Sequence, residues 1–121
     1  MGDTVVAMSA TPDDPMVLQM TNGEAHAPTA TWTLVEKAVQ LSRQAGSTVH
    51  VGAIVSSAIF YDTRTGQAAR WRDRGHLAIE MEAAALYTLG AIHKIETMAM
   101  MTVSDLIDAD ENTAERISDE D

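Results

Sequence analysis

Three short stretches of this 121-residue chain place reactive or recognition-type side chains just beyond apolar runs. Ser56, Ser57 and Phe60 follow one run, Glu80-Met81-Glu82 a second, and Ser104-Asp105 a third. Ligands of parallel α/β sheets sit beyond the C-terminal ends of strands, so the three stretches are expected to converge on one site. Each also has a plain structural explanation. Glu80 and Glu82 stand where a helix begins and would complement its dipole, worth about 0.3–1 kcal/mol. Asp105 suits a helix cap or turn, Ser56 and Ser57 suit turns, and the single Phe60 suits a core position packed on Tyr61.

Other chemistry-bearing residues give weaker signals. His26, His50, His76 and His93 lack metal-ligand spacing and read as surface or core filler. Met98, Met100 and Met101 read as a core strand, and Arg70, Arg72 and Arg74 as a solvated helix face pairing with the chain's own acids. With no Cys, disulfides, thiolate chemistry and Cys-based zinc sites are excluded.

The elements that must position these groups alternate between strand and helix, which predicts an α/β fold. Residues 3–8 read as a short buried strand. Residues 9–30, with Pro12, Pro15 and Pro28, read as loop or edge. A helix is expected over 33–44, with Leu34, Ala38 and Leu41 on one face, Thr31 or Thr33 as its cap and Gly46 after its end. The β-branched run 48–55 is the next strand. A short helix over 67–74, stopped by Gly75, leads to a short strand at 77–79, an Ala-rich helix over 82–93 and a last strand at 97–103. Beyond Ser104-Asp105 the periodicity is lost, and 106–121 reads as an acidic, flexible tail of a single, incomplete domain.

The net charge of −10 is unevenly placed. Residues 1–104 carry ten acids against seven Lys and Arg, a balance of −3, whereas residues 105–121 carry eight acids against Arg116, a balance of −7. Such a chain repels phosphate backbones and anionic lipid, so nucleic acid and membrane are excluded as expected partners. The longest apolar run, 83–87, is far short of a bilayer span. The N-terminus carries Asp3 and no basic start, so a cytoplasmic location is expected.

Ile79-Glu80-Met81-Glu82-Ala83-Ala84-Ala85-Leu86-Tyr87, followed about fifteen residues later by Thr102-Val103-Ser104-Asp105, resembles the nucleoside phosphorylases that include the hexameric purine nucleoside and uridine phosphorylases. Gly2-Asp3-Thr4-Val5-Val6 and Val55-Ser56-Ser57-Ala58-Ile59-Phe60-Tyr61 resemble the same family in the same order. The resemblance covers residues 2 to about 116. It implies part of a three-layer phosphorylase fold, with a central mixed sheet flanked by helices. It also implies phosphate-dependent cleavage of the N-glycosidic bond of purine nucleosides or uridine, giving free base and (deoxy)ribose 1-phosphate. Inorganic phosphate is then the co-substrate, no cofactor or metal is required, and the protein is a homo-oligomer, a hexamer or dimer.

By the same resemblance, Glu82 accepts hydrogen bonds from the ribose hydroxyls and Met81 packs on the sugar. Phe60 contacts the base, and Ile79 and Glu80 line the pocket. Asp105 is the general acid for a purine leaving group, with Ser104 beside it, and such an Asp needs a pKa raised by burial. Arg116 is similar to the arginine that swings toward that Asp, at a shorter spacing. The chain departs from the family in carrying Ala58 where an Asp is usual. It has no counterpart of the family's phosphate-binding segments, and the last helix is cut short at Asp121. The expectation is therefore the C-terminal half of a phosphorylase. The alternatives are a uridine-specific enzyme, although Gln67 and Arg70 do not match the uracil motif, a nucleosidase using water, or a non-catalytic nucleoside-binding or assembly module.

Overall fold

The computed structural model describes residues 1–108 and 113–116. In chain order the elements are β1 (Thr4–Pro12), α1 (Met16–Met20), α2 (Trp32–Gln44), β2 (Val49–Ser56), α3 (Gln67–Asp73), β3 (Ile79–Glu80), α4 (Ala83–His93), β4 (Ala99–Thr102), β5 (Asp105–Asp108) and β6 (Thr113–Arg116). The fold is a mixed α/β layer structure. Its four-stranded sheet has the order β3-β2-β1-β4, and β5 and β6 pair separately. Strands β1, β2 and β3 are mutually parallel, and β4 runs antiparallel to β1.

The first strand is longer than the sequence suggests, because a bulge hides its second half. Pairing to β2 steps from Ala7↔Gly52 to Ser9↔Ala53, so Met8 is an extra residue. Strand side chains alternate faces with a period of two, and one inserted residue resets that alternation. Val5, Ala7 and Ala10 consequently share one core with Val17, Ile54, Ala83, Ala84 and Tyr87, beneath α1 and α4. Val6 points the other way, onto Val35 and Ala38 of α2. The small residues that looked like loop are therefore strand under a helix.

Helix α2 begins one residue early, and its buried face is rotated from the expected one. Val35 and Ala38 are buried, whereas Leu41 is exposed. Thr31 occupies the N-cap position without a side-chain cap bond. Its hydroxyl instead accepts the Thr97 N–H at 3.0 Å, while its own N–H donates to the Thr97 carbonyl at 2.8 Å. The stops fall where glycine permits a left-handed backbone: Gly46 and Gly75 have φ of 87° and 86°.

Tyr87 ties α4 to the sheet just where the bulge ends the β1–β4 ladder. Its hydroxyl donates to the Ala7 carbonyl at 2.6 Å and accepts the Ala99 N–H at 2.9 Å. Burial pushes the phenol pKa up, helped by the nearby Glu80 charge and opposed by the Ala99 bond. Within the acidic stretch 106–121, read as lacking periodicity, β5 and β6 form an antiparallel ladder. The cut-short last helix at Asp121 lies outside the described residues.

Candidate functional site

Two of the three candidate stretches come together. Parallel pairing aligns the ends of β1, β2 and β3, with Pro12 opposite Ser56 and Ser56 opposite Glu80. The Ser57 N–H then donates to the Glu80 carbonyl at 2.8 Å, joining the start of the Phe60 loop to the Glu80-Met81-Glu82 junction.

That junction is built around the start of α4. One carboxylate oxygen of Glu80 accepts the N–H groups of Glu82 at 2.8 Å and Ala83 at 2.5 Å. The other accepts the Ser56 hydroxyl at 2.5 Å, and Ser56 Oγ in turn accepts the Ala84 N–H at 2.8 Å. Three N–H groups that the helix cannot bond internally are thus satisfied by side chains from two neighbouring strands. A carboxylate at a helix N-terminus is also favoured by the dipole, so the structural explanation of Glu80 holds. It does not hold in this form for Glu82, whose side chain is exposed and makes no hydrogen bond among the described residues. Met81 is likewise exposed, at 46%. Ile79 is half-buried in β3, paired to Val55.

Phe60 and Tyr61 do pack on one another, edge to face at 4.8 Å between ring centroids. They are not core, however: Phe60 is 62% and Tyr61 85% exposed. Exposed aromatic rings at the tip of a loop are free to meet a flat ligand, which a core Phe would not be.

The third stretch is elsewhere, a correction to the expected convergence. Because β4 is antiparallel to β1, its C-terminal end pairs with the start of β1, Thr102 opposite Thr4. The Gly2 N–H donates to Val103 and the Val103 N–H to Asp3, which carries Ser104 and Asp105 past the opposite end of β1. A nine-residue strand spans about 26 Å; Asp105 follows the strand paired to its first residues, whereas Ser56 and Glu80 lie at the register of its last. Asp105 is half-buried and accepts the Ser104 hydroxyl at 2.8 Å. In the register of β5 and β6, the backbone of Arg116 lies opposite Asp105.

Sequence reasoning missed a charged cluster at the shared edge. Arg64 grips Asp13 with two N–H···O contacts, 2.6 and 3.2 Å, and holds Asp62 through Nε at 2.9 Å and Nη2 at 2.7 Å. Ser57 Oγ donates to the same Asp13 at 3.1 Å. The hydrogen bonds from Arg64 hold the Asp62 carboxyl below its ordinary range, and both carboxylates raise the Arg64 pKa. The guanidinium also lies 5.5 Å from the ring centre of the buried Trp71. The Asp62-Thr63-Arg64 spacing was the available signal, since an Asp in a turn that binds the N–H two residues on is a recognised turn former.

Two of the histidines, His50 and His76, make structural contacts. His76 Nε2 contacts Thr11 Oγ1 at 2.8 Å and Nδ1 contacts the Trp71 carbonyl at 3.1 Å, while His50 pairs with Asp3 at 2.8 Å. Among the described residues, no three of His, Asp or Glu cluster as a metal site, and no helix is long and apolar enough to cross a membrane.

A parallel α/β edge carrying an exposed carboxylate, a thioether and an aromatic loop places these side chains where α/β folds of this class bind ligands, beyond the carboxyl ends of the strands. The family model described as the phosphorylase superfamily matches residues 2–121, and the chain belongs to that family. It is similar to the DeoD-type purine nucleoside phosphorylase of Exiguobacterium sibiricum, 42% identical over 114 residues, which are 93% of this chain and 48% of the relative. Those of Alkaliphilus metalliredigens and Clostridium novyi are 37% and 39% identical, over 93% and 92% of this chain and 49% and 48% of their own lengths. The chain thus spans about half the length of the curated relatives it matches.

Proposed function

We propose that this chain supplies the nucleoside-holding part of a pentosyltransferase that cleaves purine nucleosides with phosphate, giving free base and (deoxy)ribose 1-phosphate. The observation that carries the reading is the division of labour between two neighbouring acids. Glu80 takes up the helix N-terminus and leaves Glu82 and Met81 exposed at the edge where the Phe60 loop starts. Glu82 would accept the ribose hydroxyls, Met81 would pack on the sugar, and Phe60 would lie against the base, with Ile79 behind.

Breaking the N-glycosidic bond builds positive charge on the ribose and negative charge on the departing base. A carboxylate at the ribose hydroxyls orients the sugar and stands close to the developing cation. Protonating the base relieves the second charge, a contribution of roughly 10²–10⁴-fold. The resemblance gives that proton to Asp105, with Ser104 beside it and Arg116 closing on it. Inorganic phosphate is the co-substrate and no other cofactor is needed. The working protein is a cytoplasmic homo-oligomer, and the acidic charge keeps nucleic acid and membranes from it.

A second reading is favoured by the position of Asp105 beyond the opposite end of β1. In it, the chain binds nucleoside without turning it over until the remaining half of the relatives' length completes the site. Base release from inosine, adenosine and uridine, with and without phosphate, beside a calorimetric titration of inosine, tests both. Phosphate-dependent release from the purine nucleosides that is lost in Asp105→Asn supports the first reading. Binding without release supports the second. Release without phosphate would assign a hydrolase, and preference for uridine a uridine phosphorylase. Neither binding nor release would overturn both readings.

A further inference from the structure

The segment between β2 and α3 runs from Ser57 to Gly66, the N-cap of α3, and carries the exposed aromatic pair Phe60-Tyr61. Two of its side chains, those of Ser57 and Arg64, attach to the carboxylate of Asp13, the residue directly after β1. At its start, Ser57 Oγ donates to Asp13 at 3.1 Å while accepting the Ile59 N–H at 3.2 Å, which sets the first turn. Near its end, Arg64 lays two N–H groups across the Asp13 carboxylate and is itself held by Asp62 and by the face of Trp71. A fork matched to a carboxylate fixes direction as well as distance, which a single point charge does not. Asp13 is in turn fixed, because its N–H donates at 2.8 Å to the carbonyl of Ser56, the residue whose hydroxyl also caps α4.

We propose that Asp13 is a positioning residue: by clamping both ends of the 57–66 loop it sets where Phe60 stands relative to Met81 and Glu82, and so sets affinity for the base of a nucleoside. This rests on the function proposed above. The Asp13 side chain is 17% exposed, and its oxygens are taken by Ser57 and Arg64.

The test pairs two readouts on Asp13→Ala and on the milder Arg64→Lys, which keeps the charge and loses the fork. Hydrogen–deuterium exchange should quicken about tenfold at residues 58–63 in Asp13→Ala and less in Arg64→Lys, with β1 and α4 unchanged. Inosine affinity should fall in the same order, by about tenfold and then a few-fold. Loop exchange equal to wild type in both variants overturns the clamp. Quickened exchange with unchanged inosine affinity overturns the link to base binding. Quickened exchange in variants of a wild type that binds no inosine overturns the function on which the link rests, and leaves the clamp itself measured.

Discussion

Ser56 and Glu80, at the ends of two neighbouring parallel strands, are joined by a 2.5 Å hydrogen bond from the hydroxyl to the carboxylate. Neither belongs to α4, yet together they satisfy three of its first N–H groups. The helix direction is therefore set by the sheet.

Glu80→Gln keeps the shape of this cap and removes its charge, and should destabilise the chain by about 1–2 kcal/mol. Ser56→Ala removes both its bonds at a buried site and should cost about 1–3 kcal/mol. Chemical denaturation measures both. An unchanged midpoint in both would mean that the cap does not hold α4.

Glu82→Gln should behave in the opposite way. Its side chain is exposed, so thermal unfolding should stay within about 0.5 kcal/mol of wild type. Inosine affinity should drop at least tenfold if the carboxylate receives the ribose hydroxyls. Calorimetry on folded protein separates the two, and equal affinity would remove Glu82 from the site.

Tyr87→Phe leaves the Ala7 carbonyl and the Ala99 N–H without their partner, a loss of about 2–3 kcal/mol. Because the folded phenol has a raised pKa, the unfolded chain ionises first. That part of stability is whole below pH of about 10 and falls as pH rises toward the folded pKa. Denaturation midpoints taken between pH 8 and 11 should fall more steeply for wild type than for Tyr87→Phe.

A methyl group at Gly90 would stand 2.7 Å from Thr97 Cγ2 and 2.9 Å from the Ile95 carbonyl. Gly90→Ala should therefore cost about 1–3 kcal/mol although it improves helix propensity. A second substitution, Thr97→Ser, removes the nearer methyl and should recover part of the loss in the same unfolding assay.

The regular elements were legible because their periods are strong: α2, β2, α4 and β4 fall within two residues of their expected bounds. The second half of β1 was not, since Met8 breaks the alternation and Pro12 looks like a breaker. The rotation of the α2 face was missed because Leu34 and Leu41 are larger than Val35, which packs beside the expected Ala38. Of the site, the residue types were visible and their grouping was only partly so. Strand direction decides which ends meet, and a four-residue strand such as β4 carries no local mark of being antiparallel. Asp13 was hidden because its partner Arg64 is 51 residues away.

The bulge at Met8 works as a counting device. Everything before it in β1 is numbered against two strands, β4 and β2, and everything after it against β2 and a single bridge from Ser9 to Thr29. Without the bulge, regular pairing of all nine residues would turn Ala10 outward and Thr11 inward, and would carry Asp13 one step past the Arg64 fork. The spacing of the aromatic loop is thus written eight residues into the chain, on the far side of the sheet's change in phase.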